Sequence, residues 1–234
     1  MRFVRGMGLV LMIAMVPLAL ITTSARIVIQ SGWLYNYGFD TYEIPRVTGI
    51  EKPELMRVAD EIKTYFTNDA KELDVRIVRG GVERPLFNAR EIHHMVDVKG
   101  MMQRTQLLQQ LSLGYLAAFA IAAIWAKGKA SLILGRGIFW GCVATVALIL
   151  VAGLGSLVAF EPLFILFHEL SFSNDLWLLD PRTDYLLMMF PEGFFLDATL
   201  CIAGLSIAGA ILAGTASWGG LRRAGVGVRP TATG

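Results

Sequence analysis

Charge is scarce in this sequence. Of 234 residues, 17% are Asp, Glu, Lys or Arg and 55% are hydrophobic, whereas water-soluble domains carry about 25% charged residues. This balance excludes an ordinary soluble globular protein. It also excludes intrinsic disorder, which needs low hydrophobicity and high net charge. No basic stripe with interleaved aromatic residues occurs, so nucleic acid is not an expected partner. Cysteine is nearly absent. Cys142 and Cys201 both fall inside apolar runs, where they read as small packing residues rather than a disulfide framework. Nucleophile and phosphate motifs are missing as well. There is no G-x-S-x-G elbow and no Walker or Rossmann glycine pattern, and Ser156 sits between Gly155 and Leu157 with no base in local register. No cofactor is expected.

What is present is apolar length. Residues 7–23, 106–126, 137–160 and 198–220 contain no charge. Each approaches the roughly 20 residues that a helix needs to cross the hydrocarbon layer. The expectation is an all-α membrane protein of 234 residues forming a single integral membrane domain. Its four transmembrane helices lie near 7–23, 106–126, 137–160 and 198–218, with intervening segments at 24–105 and 161–197. Residues 1–25 could also be read as a cleaved signal peptide, with a basic start, an apolar run and small residues at Thr23-Ser24-Ala25.

The charges that exist are sorted by side. Arg2, Arg5, Lys127, Lys129, Arg136, Arg222, Arg223 and Arg229 lie at the two termini and between the second and third spans. No acid accompanies them. The other 13 basic residues share the remaining segments with all 19 acids. The positive-inside rule therefore places both termini in the cytoplasm and segments 24–105 and 161–197 outside the cell membrane. The net charge of +2 conceals this polarity.

The larger outward segment is mixed. Residues 26–50 contain Trp33, Tyr35, Tyr37, Phe39 and Tyr42, types that favour the membrane–water boundary. They are expected to form a packed juxtamembrane loop. Pro53 opens an amphipathic helix with Leu55, Val58, Ala59, Ile62, Tyr65 and Phe66 on one face and Arg57, Asp60, Glu61 and Lys63 on the other. Residues 73–78 and 82–87 flank Gly80-Gly81 and read as a small β-hairpin. The outward segment is thus a small mixed α/β element. Asn88 is a helix N-cap with Glu91 in capping-box position, and the helix it starts runs without proline into the second span, Gly100 being its weak point.

The shorter outward segment combines acids with a dense apolar frame. Glu169, Asp175, Asp180, Asp184 and Glu192 alternate with Phe164, Phe172, Trp177, Phe190, Phe194 and Phe195. This pattern suggests a wedge dipping into the outer leaflet, where ionisable groups are functional candidates.

Histidine is the sharpest signal. The chain has three, His93, His94 and His168, all on the outward side. Imidazole is the side chain suited to proton transfer near pH 7. His94 and Asp97 share a helical face, so Asp97 could hold the imidazole in one tautomer, whereas His93 points about 100° away. Three readings stay open on spacing alone. The histidines could be structural, could form a proton-transfer pair, or could join carboxylates around a metal. His168-Glu169 starts like H-E-x-x-H, but the second ligand position is Phe172.

Three stretches carry a resemblance. Residues 87–99, F-N-A-R-E-I-H-H-M-V-D-V-K, are similar to the R-E-I-x-H-M-x-D-V-K core of the lipoprotein intramolecular transacylases, small bacterial membrane proteins. Phe167-His168-Glu169-Leu170-Ser171-Phe172-Ser173-Asn174, continuing to Trp177, Leu179, Asp180 and Pro181, resembles a second motif. Asp184 through Met189-Phe190-Pro191-Glu192, then Phe194, Phe195 and Asp197, resembles a third. The four-span layout matches too, so the resemblance covers most of the chain.

The resemblance implies an acyltransferase. Its substrate is a lipoprotein whose N-terminal Cys carries a diacylglyceryl thioether, and the sn-2 acyl chain moves to the α-amino group of that Cys, giving the lyso form. The substrate supplies both nucleophile and ester, which suits a chain without nucleophile motifs. His94 and His168 fall on the family's motif histidines as a catalytic dyad, with His168 as base and His94 as polarising partner; His93 falls at the unspecified position. Asp97, Lys99, Arg90, Glu91, Asn174 and Asp180 are candidates for binding or orienting the substrate. The partners implied are membrane lipids and the diacylated lipoprotein, and no metal is required. A non-catalytic lipoprotein-binding scaffold and a metal-dependent membrane hydrolase are the alternatives of other classes. Sequence leaves the oligomeric state open.

Overall fold

The computed structural model describes residues 2–126 and 129–225. Lys127 and Arg229 of the basic sets lie outside them. Among the described residues, ten elements follow in order. They are α1 (Arg2–Gln30), α2 (Gly32–Thr41), α3 (Ile44–Thr48), α4 (Lys52–Tyr65), β1 (Arg76–Arg79), β2 (Val82–Pro85), α5 (Ala89–Ala126), α6 (Lys129–Ser171), α7 (Tyr185–Met189) and α8 (Glu192–Arg223). Four helices, α1, α5, α6 and α8, are long and apolar enough to cross a membrane.

Length decides how these helices are used. At about 1.5 Å per residue, the 38 residues of α5 and 43 of α6 exceed the roughly 30 Å of hydrocarbon. The first part of α5 carries Arg90, Glu91, Asp97, Lys99 and Arg104, and its uncharged run starts only at Gln106. Helix α6 kinks at Ala159 (φ −146°, ψ 54°) ahead of Pro162, because proline has no N–H for the ladder and its ring crowds the preceding turn. Polar side chains in the apolar stretches fold back on their own helix. Thr145 donates to the Gly141 carbonyl at 2.8 Å and Ser206 to the Ile202 carbonyl at 2.7 Å, which satisfies hydroxyls where water is absent. The apolar surface faces outward, with Val151 76% and Leu212 72% exposed, as for helices that contact lipid.

The chain divides into two compact units. The first takes α1 to Ala25, residues Gln106–Leu154, and α8 from Cys201. Its core is Val16, Cys142 and Ala210, with Leu20, Leu116, Ile138, Val146 and Ala213 packed around them. Gly137 and Gly141 make the close approach of α6 to α1 possible. A Cβ on Gly141 would lie 2.6 Å from Val16 Cβ, and one on Gly137 would overlap Met12. This is the small-x-x-x-small spacing of membrane helix contacts. Gln109 Nε2 donates to Thr23 Oγ1 at 3.0 Å, and Ser217 Oγ to the Gly135 carbonyl at 2.6 Å.

The second unit holds residues Arg26–Thr105 and Gly155–Leu200. Here the structure corrects one expectation. Residues 26–50 are not a loop but the end of α1 followed by α2 and α3. Their Gly, Tyr and Trp content gives weak helix propensity; packing decides instead. Leu34, Tyr35, Phe39 and Ile44 are buried, and the Tyr35 and Phe39 rings meet Phe190 at 6.0 and 6.1 Å. Gly38 admits the Phe194 ring and Gly193 admits Tyr42, each at a distance that leaves no room for a Cβ. Tyr42 donates to Asp197 Oδ2 at 2.7 Å. Helix α4 buries the face read from its periodicity, including Leu55, Val58, Ala59, Ile62 and Tyr65. The hairpin pairs antiparallel, Ile77 opposite Arg84. Gly80 and Gly81 both adopt positive φ, 59° and 78°, as a two-residue turn of this hand requires. Each strand is four residues, shorter than the arms expected, and Pro85, with no N–H to donate, closes β2.

Candidate active site

The site is built where α5 begins. Asn88 and Glu91 form the capping box read from sequence. Asn88 N–H donates to Glu91 Oε2 at 2.7 Å, and Glu91 N–H donates to Asn88 Oδ1 at 3.1 Å. Glu91 does more than cap. It is 1% exposed, and its second oxygen accepts the Leu186 N–H of α7 at 2.7 Å. Asn88 Nδ2 donates to Asp184 Oδ1 at 2.9 Å, and Asp184 Oδ2 accepts the Asp180 N–H at 2.8 Å. A chain of hydrogen bonds thus ties residues 180–186 to the first turn of α5. Burial raises the Glu91 carboxyl above its usual range, against the two backbone N–H groups that favour its charge.

One turn along α5, His94 faces His168. Their ring centroids are 6.2 Å apart at 34°, and both residues are buried. His94 sits in the charged part of α5. His168 sits at the end of α6, beyond Glu161 and Pro162 and outside the uncharged run. His168 Nδ1 is 2.7 Å from the Phe164 carbonyl oxygen. A carbonyl only accepts, so Nδ1 carries the hydrogen and the neutral ring keeps its lone pair on Nε2. Four rings surround this imidazole: Phe164 at 4.2 Å, Trp177 at 5.0 Å, Phe167 at 5.3 Å and Phe172 at 5.6 Å. Phe172 also meets His94 edge-on at 5.3 Å. The i, i+4 spacing that breaks the metal motif is the spacing that lays Phe172 on His168. His94 Nδ1 is buried with no hydrogen-bond partner among the described residues.

The electrostatics keep both rings neutral. Burial and the neighbouring His168 push His94 down to about 4, against a smaller lift from Asp97. Burial also lowers His168, opposed by its bond to Phe164. Two neutral imidazoles, one with a free basic nitrogen, can accept a proton and donate a hydrogen bond at neutral pH.

The other sequence-nominated residues are spread around this pair. Asp97 does not bond His94; its Oδ2 accepts Asn174 Nδ2 at 2.9 Å. Asn174 Oδ1 accepts the Leu176 N–H at 3.0 Å. Arg90 Nη2 donates to the Asp175 carbonyl at 2.5 Å. Lys99 lies further along α5. Its Nζ donates to Asn68 Oδ1 at 3.0 Å and to the Ala70 carbonyl at 2.6 Å, and stands 4.2 Å from the Tyr65 ring centroid. Asp180 pairs with Arg182, whose Nε and Nη2 donate to it at 3.0 and 2.9 Å. The side-chain and backbone bonds from Arg182 hold the Asp180 carboxyl at about 2. His93 is exposed. A cavity of about 480 Å³ is lined in part by Glu169, Asn174, Asp175 and by Phe172 and Trp177, the two rings that contact His168. Among the described residues, no three of His, Cys, Asp and Glu are grouped to hold a metal.

Sequence reasoning did not assign roles to Phe164, Arg182 or Trp177. The Phe164 contact is through a backbone carbonyl and leaves no residue-type signal. Arg182 was visible two positions from Asp180.

Among the described residues, four helices are long and apolar enough to cross a membrane, and two of them, α5 and α6, bring a buried pair of imidazoles face to face; this defines an integral membrane protein. The model of the lipoprotein intramolecular transacylase Lit family matches residues 10–195, and the chain belongs to that family. It is 26% identical over 204 residues to an uncharacterized protein from Aquifex aeolicus, covering 86% of this chain and 89% of that protein. Its fold is that of the membrane integral lipoprotein intramolecular transacylase Lit from Bacillus cereus. The TM-score is 0.81 at 22% identity, over 96% of this chain and 99% of the other. A variant of that protein with one histidine replaced by arginine matches at TM-score 0.76 and 22% identity, covering 95% of this chain and 94% of that one.

Proposed function

We propose that this chain moves the sn-2 acyl group of a diacylglyceryl-cysteine lipoprotein to the α-amino group of the same cysteine, with His94 and His168 as the catalytic pair. The observation that carries this reading is the apposition of the two rings at 6.2 Å, with Nδ1 of His168 occupied by Phe164 and Nε2 left as a base. The substrate amine attacks the sn-2 carbonyl carbon. His168 Nε2 takes the proton released from nitrogen. His94, neutral, donates a hydrogen bond to the carbonyl oxygen as charge develops there. The bond from carbonyl carbon to glycerol oxygen then breaks, and that oxygen receives the proton. The amine loses one proton and the glycerol oxygen gains one, so the balance closes without water. Attack within one molecule draws on positioning, which can replace several kcal/mol of barrier (about 7–11 for ideal geometry).

Around this pair, Arg90, Glu91, Asp97, Lys99, Asn174 and Asp180 are orienting groups. Each already makes at least one hydrogen bond within the protein, which supports orientation of the site over direct contact with substrate. We place both termini in the cytoplasm and the histidine pair at the outer leaflet, on the side holding every acid of the chain. In this setting the hairpin and α2–α4 form an extracytoplasmic mixed segment.

The test is conversion of a diacylated lipopeptide by the purified protein. The transfer leaves mass unchanged, so fragmentation must locate the acyl chain on nitrogen or on glycerol. Product with the chain on nitrogen supports the reading; substrate recovered unchanged refutes it.

A further inference from the structure

Residues 172–178 leave α6 without helical structure and pass beside both imidazoles. Phe172 touches His94 and His168, and the Trp177 ring lies 5.0 Å from His168 at an interplanar angle of 33°. The segment is fastened to α5 at two points. Asn174 bonds Asp97, and the Asp175 carbonyl bonds Arg90. Arg90 and Asp97 lie one helical turn before and after His94, so the two fastenings flank the histidine. Asn174 is further fixed by accepting the Leu176 N–H, which sets the turn that presents Trp177.

We propose that residues 172–178 form a positioning strap: the Asp97–Asn174 hydrogen bond latches it to α5 and presses Trp177 onto His168, so that Asp97, Asn174 and Trp177 act through the imidazole and not on the substrate. This rests on the transacylase reading above. The physical basis is that the Phe164 bond fixes the His168 ring at only one atom. Rotation of the ring about Cβ–Cγ would break that bond and swing the Nε2 lone pair. The tilted rings of Trp177 and Phe164, 5.0 and 4.2 Å from the imidazole centroid, limit that rotation. The latch is a carboxylate accepting from an amide, stronger than a neutral pair, and it lies at the exposed rim, where variants alter no core packing.

The exchange of the two latch residues tests this. Asn174→Asp alone sets two carboxylates against each other and opens the latch. Asp97→Asn with Asn174→Asp restores one carboxylate and one amide in reversed order, and the residue at 174 still accepts from Leu176. With the diacylated lipopeptide, Asn174→Asp is expected to lower kcat about tenfold with KM within about twofold of wild type. The exchanged pair is expected to return kcat to within about threefold of wild type. Trp177→Phe keeps a ring on His168 and retains most of kcat; Trp177→Leu lowers kcat as the opened latch does, again at constant KM. Overturning results are a rise in KM at unchanged kcat, which marks a substrate contact, failure of the exchanged pair to recover kcat, or wild-type kinetics in both Asn174→Asp and Trp177→Leu. Wild-type protein that leaves the acyl chain on glycerol refutes the transacylase reading itself, a result distinct from conversion without rescue.

Discussion

The imidazoles of His94 and His168, brought from helices α5 and α6, lie 6.2 Å apart, and the ring of Phe172 rests against both. Each element behind this relationship has a local cause. Asn88 and Glu91 start α5 at a defined residue. Pro162 ends the straight run of α6 six residues before His168. The charged start of α5 and the end of α6 then lie outside the uncharged runs of both helices.

The neutral state of the pair gives a pH dependence with a defined sign. Both pKa values are lowered, His94 to about 4. The acid limb of kcat is therefore expected below the ordinary histidine value of about 6.5, and a kcat–pH profile that begins to fall above 6.5 contradicts it. The unfolded chain takes up a proton at His94 near 6.5, whereas the folded chain does so only near 4. This contribution to stability is complete above about 6.5 and is lost as pH falls toward 4. Thermal unfolding in detergent at pH 7 and pH 5 measures it, with the lower midpoint expected at pH 5.

Glu91 is an acceptor at both oxygens, so its amide is no substitute. In Glu91→Gln the NH₂ group faces one of the two backbone N–H donors, leaving it unpaired in a buried site. The expected cost is about 1–3 kcal/mol, read as lower thermal stability than wild type. Glu91→Gln with wild-type stability would contradict the need for two acceptor oxygens at this buried site.

The approach of α1 to α6 depends on Gly141. A methyl group at this position meets Val16 Cβ at 2.6 Å, so Gly141→Ala is expected to destabilise the protein by about 1–3 kcal/mol through overpacking. Val16→Ala keeps Cβ but removes the two γ-carbons, 2.9 and 3.0 Å from the new methyl group, so Gly141→Ala with Val16→Ala should recover part of the loss. Additive losses in the double variant, by thermal unfolding, would contradict the contact.

How much of this was legible in sequence follows from what each signal depends on. The four apolar helices, the capping box at Asn88 and Glu91, the α4 face and the Gly80-Gly81 turn depend on local pattern, and they stand in the structure at the residues that carry the pattern. Residues 26–50 read as a juxtamembrane loop because their aromatic residues favour the membrane–water boundary; Tyr35, Phe39, Phe190 and Phe194 make them helical by packing across distant segments. Helical spacing put Asp97 on the His94 face, but only the tertiary structure shows that its carboxylate is held by Asn174. The Phe164 carbonyl that fixes the His168 tautomer is a backbone atom, and no residue type announces it.

The proposed function makes His94 and His168 jointly responsible for acyl transfer within the substrate. The most direct measurement is fragmentation mass spectrometry of a diacylated lipopeptide after incubation with wild-type protein and with His94→Ala, His168→Ala and His93→Ala, each checked for folding. The acyl chain should move from glycerol to the α-amine with wild type and, within about twofold in rate, with the exposed His93→Ala variant. With either His94→Ala or His168→Ala the rate should fall by about 100-fold or more, the scale of lost general acid–base catalysis. Transfer at the wild-type rate in either of these two folded variants would exclude the histidine pair as the catalytic centre.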